Sequence, residues 1–369
     1  MQIAVRLSAL AFVAAVAGLW FCVAAAAQDS AAPAPGKCYA VILGAMPGEE
    51  VYARHYRDWI KRFHAYMVQS AGVPAANVVV LSGDKDFKDP IVAGLATIES
   101  VRKAMAEMTA KVKPEDQFIL CLVGHGVVTE KTPTLVLPGP DIDAQELADD
   151  MAAMAARNQV VLNFSSASGT AMPVFARKDR VVVAATGPME GNEPVFPEFF
   201  LRGLESKRAD GEGAPAAGAK DGRVTVLEAF NWAAREAALW IVRIRKAGVA
   251  WKVDGKESVE VFEKLYRDPP GTAGTQKLAS GSDRSAPDAP VTIKPPGGKI
   301  DSTWVGRRVL SEHAVLEDCG EKNGVSAIGD KGYEPLSGAR PGEPGSLARR
   351  VCIGSADLLP AANNPPVKP

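Results

Sequence analysis

The sequence has almost no net charge and few histidines. Its 369 residues include 42 basic and 43 acidic side chains, so the formal net charge is −1. A charge balance of this kind does not attract nucleic acid or an anionic membrane surface, and we expect neither as a partner. Two of the four histidines, His64 and His313, have no metal-ligand partners at a recognisable spacing. With no nucleotide-binding loop or internal repeat either, the sequence predicts no cofactor.

The overall composition is that of a globular protein. Hydrophobic residues make up 47% of the chain and charged residues 23%. A chain of this length and composition can bury a sizeable core. A fully disordered or fibrous protein is therefore excluded.

The first 27 residues have the pattern of a secretion signal. Arg6 precedes an apolar run over residues 7–27, which ends in Ala25-Ala26-Ala27 and is followed by polar residues. A retained membrane anchor is the alternative, because the run approaches the roughly 20 residues that span a bilayer. We expect a secreted, periplasmic protein that meets the membrane only through this segment before cleavage.

Four cysteines follow the predicted signal segment. Cys38 and Cys121 lie in apolar, strand-like runs, which favours buried free thiols. Cys319 and Cys352 lie in a Gly-rich region with a weak core. In an oxidising compartment this second pair is the better candidate for a disulfide, although an even cysteine count does not establish one.

The middle of the chain alternates strand and helix patterns. Strands are predicted at 39–43, 77–81, 117–123, 160–163 and 180–185, and helices at 48–71, 97–112, 143–156, 197–206 and 225–247. Because the strands are short and nearly all apolar, we expect a mostly parallel α/β sheet with helices on both faces.

Composition divides the chain into segments. Residues 1–27 are the predicted signal peptide, 28–36 a flexible lead, 37–267 the α/β domain, 268–299 a Pro/Gly/Ala-rich linker, 300–353 a small C-terminal extension and 354–369 a tail. The extension has too few apolar residues for a confident core of its own. We expect it to pack back on the main domain or to stay partly disordered.

Two strand ends carry residues that can do chemistry. The third predicted strand ends in Gly124-His125-Gly126, and the fourth runs into a small-residue turn that contains Ser166. In open parallel α/β sheets, ligands and chemistry lie at the carboxyl ends of the strands. A histidine between two glycines is exposed there, and a turn of small residues suits the presentation of a nucleophile.

These two motifs resemble the caspase-like clan of cysteine peptidases, nearest to its legumain (C13-type) and bacterial caspase-like groups. In that clan the catalytic histidine lies in Gly-His-Gly after one strand, and the catalytic cysteine follows the next strand in a turn of the form x-Cys-x-Ser-Gly. Here His125 matches the histidine, Ser168 and Gly169 match the Ser-Gly, and Ser166 stands at the cysteine position. The resemblance covers residues 38–247 and implies a caspase-like three-layer sandwich.

Further stretches are similar to a secreted bacterial branch of this group, which carries Ser-Ala-Ser-Gly in the turn. They are Pro138-Gly139-Pro140-Asp141 and the region from Glu193 to Leu204. The resemblance also suggests substrate-binding roles for Arg54 and Glu193. A solvated helix charge and an exposed loop carboxylate are the simpler interpretations of these two residues.

The serine at the cysteine position changes the expected chemistry. A thiol has a pKa of about 8.5 and is nucleophilic with little activation, whereas a serine hydroxyl needs an oriented base and an oxyanion hole. Loss of one such element typically lowers a rate by about 10²–10⁴-fold. We therefore expect a peptidase homologue that is inactive and that binds a peptide or protein segment.

Two other functions stay open. One is a weak serine-dependent endopeptidase or hydrolase, with Ser166 as nucleophile, His125 as general base and the N–H groups of Gly126 and Ser166 as the oxyanion hole. The other is a scaffold whose surface matters and whose cleft is a relict.

An α/β-hydrolase is disfavoured, because the histidine precedes the serine and no glycine stands two residues before Ser166. Cys121, inside a strand, is expected to be a core thiol rather than a displaced nucleophile.

One segment has half of a calcium-binding loop. Asp221 and Glu228 match the second half of an EF-hand pattern, but Ala217 and Ala219 stand where oxygen ligands are needed. The favoured alternative is a helix start, with Thr225 as N-cap and Glu228 completing a capping box. No confident metal site is predicted.

Overall fold

The computed structural model describes residues 35–188, 190–191, 193–213, 220–246, 312–329 and 332–360. The predicted signal segment, nearly all of the flexible lead and the whole linker at 268–299 lie outside this set. So do Ala217, Ala219, residues 300–311 of the extension and residues 361–369 of the tail. The predictions made for those stretches stay predictions.

An eight-stranded sheet forms the centre of the domain within these residues. In chain order, the strands of the structure are β1 (Cys38–Gly44), β2 (Val78–Ser82), β3 (Val92–Leu95), β4 (Gln117–Gly124), β5 (Gly126–Thr129), β6 (Thr132–Leu135), β7 (Ile142–Asp143), β8 (Asn158–Ser165), β9 (Arg180–Ala184), β10 (Val315–Glu317), β11 (Val325–Ser326), β12 (Ile328–Gly329) and β13 (Gly332–Tyr333). The order across the main sheet is β11-β10-β9-β8-β4-β1-β2-β3. The six strands from β9 to β3 are parallel, and β10 and β11 are antiparallel.

Helices cover both faces of this sheet. They are α1 (Glu50–Ala65), which continues as a π-helical turn over Tyr66–Ser70, α2 (Ile98–Lys111), α3 (Ala144–Ala153), α4 (Met172–Phe175), α5 (Phe196–Ser206) and α6 (Val226–Lys246). Alternation along β1 divides the core, because Ala40 and Ile42 pack toward α1, α5 and α6, whereas Val41 and Leu43 pack toward α2, α3 and α4. The predicted three-layer α/β sandwich with a mostly parallel sheet is confirmed.

The C-terminal extension contributes to the main sheet. β10 pairs with β9 antiparallel, with Val315 opposite Ala184. The carboxylate of Asp318 accepts hydrogen bonds from the N–H groups of Gly345, Leu347 and Ala348. The described part of the extension therefore packs on the α/β domain.

The cysteines correct one prediction. Cys38 and Cys121 are buried free thiols as expected, and burial raises the pKa of Cys38 to about 12. Cys319 and Cys352 are also free, so the disulfide predicted between them is wrong. They have separate surroundings: the Cys319 thiol donates to the carbonyl of Gly342, whereas Cys352 forms a β-bridge with Thr225 before α6.

The half calcium loop is a helix start. The Thr225 hydroxyl accepts from the N–H of Glu228 at 3.2 Å, and the Glu228 carboxylate accepts from the N–H of Thr225 at 2.8 Å. This is the capping box that the sequence favoured. The Asp221 carboxylate accepts from its neighbour two residues on. Among the described residues, no group of three or more His, Cys, Asp or Glu side chains is placed to hold a metal ion.

No helix in the described part of the chain combines the length and apolar character needed to cross a bilayer.

Candidate functional site

Two neighbouring parallel strands bring His125 and Ser166 together. β4 pairs with β8 in a register that places Gly124 opposite Ser165, so the residues that follow each strand emerge side by side. Gly124 has a φ of +119°, a backbone conformation that residues with a side chain rarely adopt. This glycine turns the chain out of the sheet and presents His125 at its carboxyl edge.

The hydroxyl of Ser166 is buried and hydrogen-bonded. Ser166 is only 2% exposed. Its hydroxyl donates to the carbonyl of Gly126 at 2.9 Å, and its oxygen accepts from the N–H of the same residue at 3.0 Å. The distance from Oγ to Nδ1 of His125 is 3.5 Å, long for a hydrogen bond. The serine proton is therefore held by the backbone.

The imidazole of His125 has a stronger partner than Ser166. Its Nδ1 lies 2.8 Å from Oε1 of Glu193, and the ring is half exposed. The same nitrogen faces both Glu193 and Ser166, and an imidazole nitrogen makes one good in-plane hydrogen bond. In a serine triad, by contrast, the carboxylate and the serine contact opposite ring nitrogens. While Nδ1 is paired with Glu193, it is not placed to take the serine proton.

The two N–H groups predicted to form an oxyanion hole have acceptors within the protein. The N–H of Ser166 donates to the carbonyl of Gly124 at 3.1 Å, and the N–H of Gly126 donates to the Ser166 oxygen. An oxyanion hole needs donors aimed at the position of a developing negative charge. In this arrangement both amides predicted for that role already have acceptors inside the protein, and their role in an oxyanion hole stays a prediction.

The turn after Ser166 is tightly packed. Ala167 has a φ of +55°, and a Cβ built on Gly126 would lie 2.4 Å from the carbonyl oxygen of Ser166. Beneath the turn, between β6, α3 and α4, is a cavity of about 20 Å³. Such a volume holds roughly one water molecule.

A hairpin continues the chain from His125. β5 and β6 pair antiparallel and are joined by Glu130 and Lys131, which have φ values of 51° and 75°. In a two-residue hairpin the closing pair exchanges hydrogen bonds, so alternate residues direct their N–H and C=O groups to the outer edge. Gly126 and Val128 are those residues in β5. Gly126 uses both groups on Ser166, and Val128 has a side chain that is 42% exposed.

Glu193 is shared with a residue that the sequence analysis missed. The hydroxyl of Tyr56, on the buried face of α1, donates to Oε2 of Glu193 while Oε1 faces His125. Burial, followed by the charge of Glu193, raises the pKa of Tyr56. The helical spacing of aromatics in α1 marks Tyr56 as a core residue, but it does not indicate the hydroxyl's partner.

We expect Tyr56→Phe to lower the free energy of unfolding by about 1–3 kcal/mol, because it leaves one oxygen of a partly buried carboxylate without this donor. Urea denaturation measures the change. Tyr52→Phe, one turn earlier on the same helix, is the matched control and should cost less. Equal losses for the two variants would contradict this role of Tyr56.

Arg54 lies on the exposed side of α1. It forms an ion pair with Glu50 at 3.4 Å, and both side chains are at least half exposed. Pairs of this kind are worth little in water. This exposed pair agrees with a charge on the helix surface, and the role of Arg54 in substrate binding stays a prediction.

Comparison with solved structures finds distant similarities. No protein-family model and no curated protein matches the chain. The chain is similar to protein GSU0716 from Geobacter sulfurreducens, with a TM-score of 0.37 and 14% identity over 54% of this chain and 89% of that chain. It is also similar to the Drosophila initiator caspase Dronc, with a TM-score of 0.34 and 11% identity over 55% of this chain and 72% of that chain. At these values, functional inference rests on the site geometry.

Proposed function

We propose that this protein is a caspase-like pseudo-peptidase, which binds an extended peptide segment beside His125 without cutting it. One observation carries the proposal: Nδ1 of His125 pairs with Glu193, while the Ser166 hydroxyl is held on both sides by Gly126.

This arrangement lacks the elements that a serine nucleophile needs. His125, the candidate base, faces the carboxylate of Glu193, and the Ser166 hydroxyl donates its proton to the carbonyl of Gly126. The two N–H groups beside the hydroxyl already donate to acceptors within the protein. Each missing element typically lowers a serine hydrolase's rate by about 10²–10⁴-fold. Together, these losses favour binding over catalysis.

The outer edge of β5 supports a peptide as the ligand. A strand edge offers backbone donors and acceptors to an extended chain, and added strands gain affinity through such main-chain hydrogen bonds. β5 is the end strand of the small sheet β5-β6-β7, and its exposed residues, Val128 and Thr129, lie three and four residues after His125. A peptide paired with Val128 would therefore run past the imidazole.

A weak serine-dependent hydrolase is the second candidate. It is favoured by the contiguous series of Ser166, His125 and Glu193, which are the three side-chain types of a serine triad. Activity would require the imidazole to turn so that different nitrogens face the serine and the carboxylate. This candidate predicts cleavage that depends on both Ser166 and His125.

Incubation of the immobilised full chain with a library of random-sequence peptides, read by mass spectrometry, tests the proposal. We expect intact peptides to be retained, and Val128→Pro to weaken retention by about tenfold or more because proline removes the outward N–H. Val128→Ala keeps that N–H and is the matched control. Cleaved peptides that disappear with Ser166→Ala would support the hydrolase. The absence of both retention and cleavage would contradict the proposal and favour the scaffold.

The secretion and periplasmic location expected from residues 1–27 remain proposals as well. The residues that would carry them lie outside the described part of the chain.

A further inference from the structure

A distant part of the chain holds the loop that carries Glu193. This loop connects β9 to α5 over residues 185–195. We infer that Glu312 and His313, which precede β10, are positioning residues for the His125 site. The inference deepens the proposed function, on which its consequence for peptide binding rests.

Glu312 supplies the cap that α5 lacks. The N-cap residue of α5 is Val195, whose side chain cannot accept a hydrogen bond, and the first N–H groups of a helix have no partners within it. The two carboxyl oxygens of Glu312 accept from the N–H of Val195 at 2.7 Å and from that of Phe196 at 3.0 Å. A residue more than 100 positions away therefore fixes the end of the loop.

His313 holds the middle of the same loop. Its Nδ1 contacts Oε1 of Glu190, and its backbone N–H donates to Oε2 of Glu190 at 2.9 Å. The same Oε2 accepts from the N–H of Gly187 at 2.7 Å. One carboxylate therefore joins the start of the loop to the C-terminal segment.

The sheet register explains why these two residues reach the loop. β10 runs antiparallel to β9, with Val315 opposite Ala184, so the residues just before β10 lie where β9 ends and the loop begins. Glu193 stands between the two anchored points, three residues after Glu190 and two before Val195. Its carboxylate is thereby held against His125 and Tyr56.

We expect a change at Glu312 or His313 to affect the distant His125 site. Loss of the Glu312 or His313 contacts releases the loop, displaces Glu193 and frees Nδ1 of His125. A change in the C-terminal segment should then alter the imidazole of His125, although the contacts of Glu312 and His313 described above are made to the loop.

Nitrogen NMR of the full chain tests this coupling. Because the chain has four histidines, single substitutions suffice to assign the imidazole signals. Glu193→Gln gives the reference spectrum of His125 without its carboxylate partner. The test variants are Glu312→Ala and His313→Ala. Glu317→Ala is the matched control, because this carboxylate lies in the same segment but accepts from Cys319 and Glu321 rather than from the loop.

We expect Glu312→Ala and His313→Ala to move the His125 imidazole signals toward their positions in Glu193→Gln. Glu312→Ala should also accelerate amide exchange at Val195 and Phe196 by about 10- to 100-fold. His313→Asn, which keeps a donor near Nδ1, should restore the wild-type signals, and Glu317→Ala should leave them unchanged.

Unchanged His125 signals in both test variants, alongside faster exchange in the loop, would overturn the inference. If Glu312→Ala does not fold, His313→Ala and His313→Asn decide the matter. Because the spectra need no peptide, the outcome is separate from the proposed function. A protein that binds no peptide but shows this coupling would contradict peptide binding alone.

Discussion

Replacing Gly169 with alanine is expected to lower the free energy of unfolding by about 3 kcal/mol or more. A Cβ at this position would lie 2.3 Å from the carbonyl carbon of Gly187 and 2.5 Å from the carbonyl oxygen of Thr186. Both are backbone atoms at the start of the loop that follows β9, so neither can move aside as a flexible side chain would. Urea denaturation measures the loss.

Gly191→Ala is the matched control, because no heavy atom lies within 4 Å of a Cβ built there. It should change stability by no more than about 0.5 kcal/mol. A Gly169→Ala protein as stable as this control would mean that the turn after Ser166 is not pressed against the start of the 185–195 loop. The hydrogen bond between Ser168 and Thr186 at 3.0 Å points to the same close packing.

The second large effect is a pH dependence carried by Glu312. Complete burial raises the pKa of Glu312 from 4.5 to about 8, the two backbone N–H groups oppose this, and the charge of Glu190 adds to it. The folded protein thus keeps this proton where the unfolded chain has lost it. The preference of the folded state for protonated Glu312 contributes to the free energy of unfolding. This contribution is fully present below pH 4.5 and is lost as the pH rises toward about 8, and its size is on the order of 3–5 kcal/mol.

The free energies of unfolding of the wild type and of Glu312→Gln, measured between pH 4.5 and 8.5, test this direction of the pH dependence. We expect the wild type to lose stability over this range relative to the variant, which has no proton to release at this position. Glu107→Gln, on the exposed side of α2, should follow the wild-type curve. Parallel curves for the wild type and Glu312→Gln would contradict the buried, protonated state.

Local sequence patterns were sufficient for the main sheet but not for its small additions. The strand expected at 117–123 is β4, Gln117–Gly124, because a continuous apolar run between turn residues is typical of a buried parallel strand. The β5-β6 hairpin was not predicted. Its turn residues, Glu130 and Lys131, take the positive φ values that usually favour Asn-Gly, so the sequence has no recognisable turn signal.

The candidate site could be predicted only where neighbouring strands determine it. His125 and Ser166 follow adjacent parallel strands, so the fold class alone indicates that they meet. Glu193 was a candidate for substrate binding, and its position against His125 came from the structure. The contact from Glu312 to the start of α5 depends on the register of β10, which no local pattern in the sequence reports.

Labelling of Ser166 with a fluorophosphonate most directly tests whether His125 activates this residue. An activated serine oxygen attacks the phosphorus, fluoride leaves, and the hydroxyl proton passes to the base. With Nδ1 of His125 on Glu193 and the hydroxyl on Gly126, the protein should show no more labelling at Ser166 than the His125→Ala variant does. Labelling of Ser166 that is lost in His125→Ala would contradict the account.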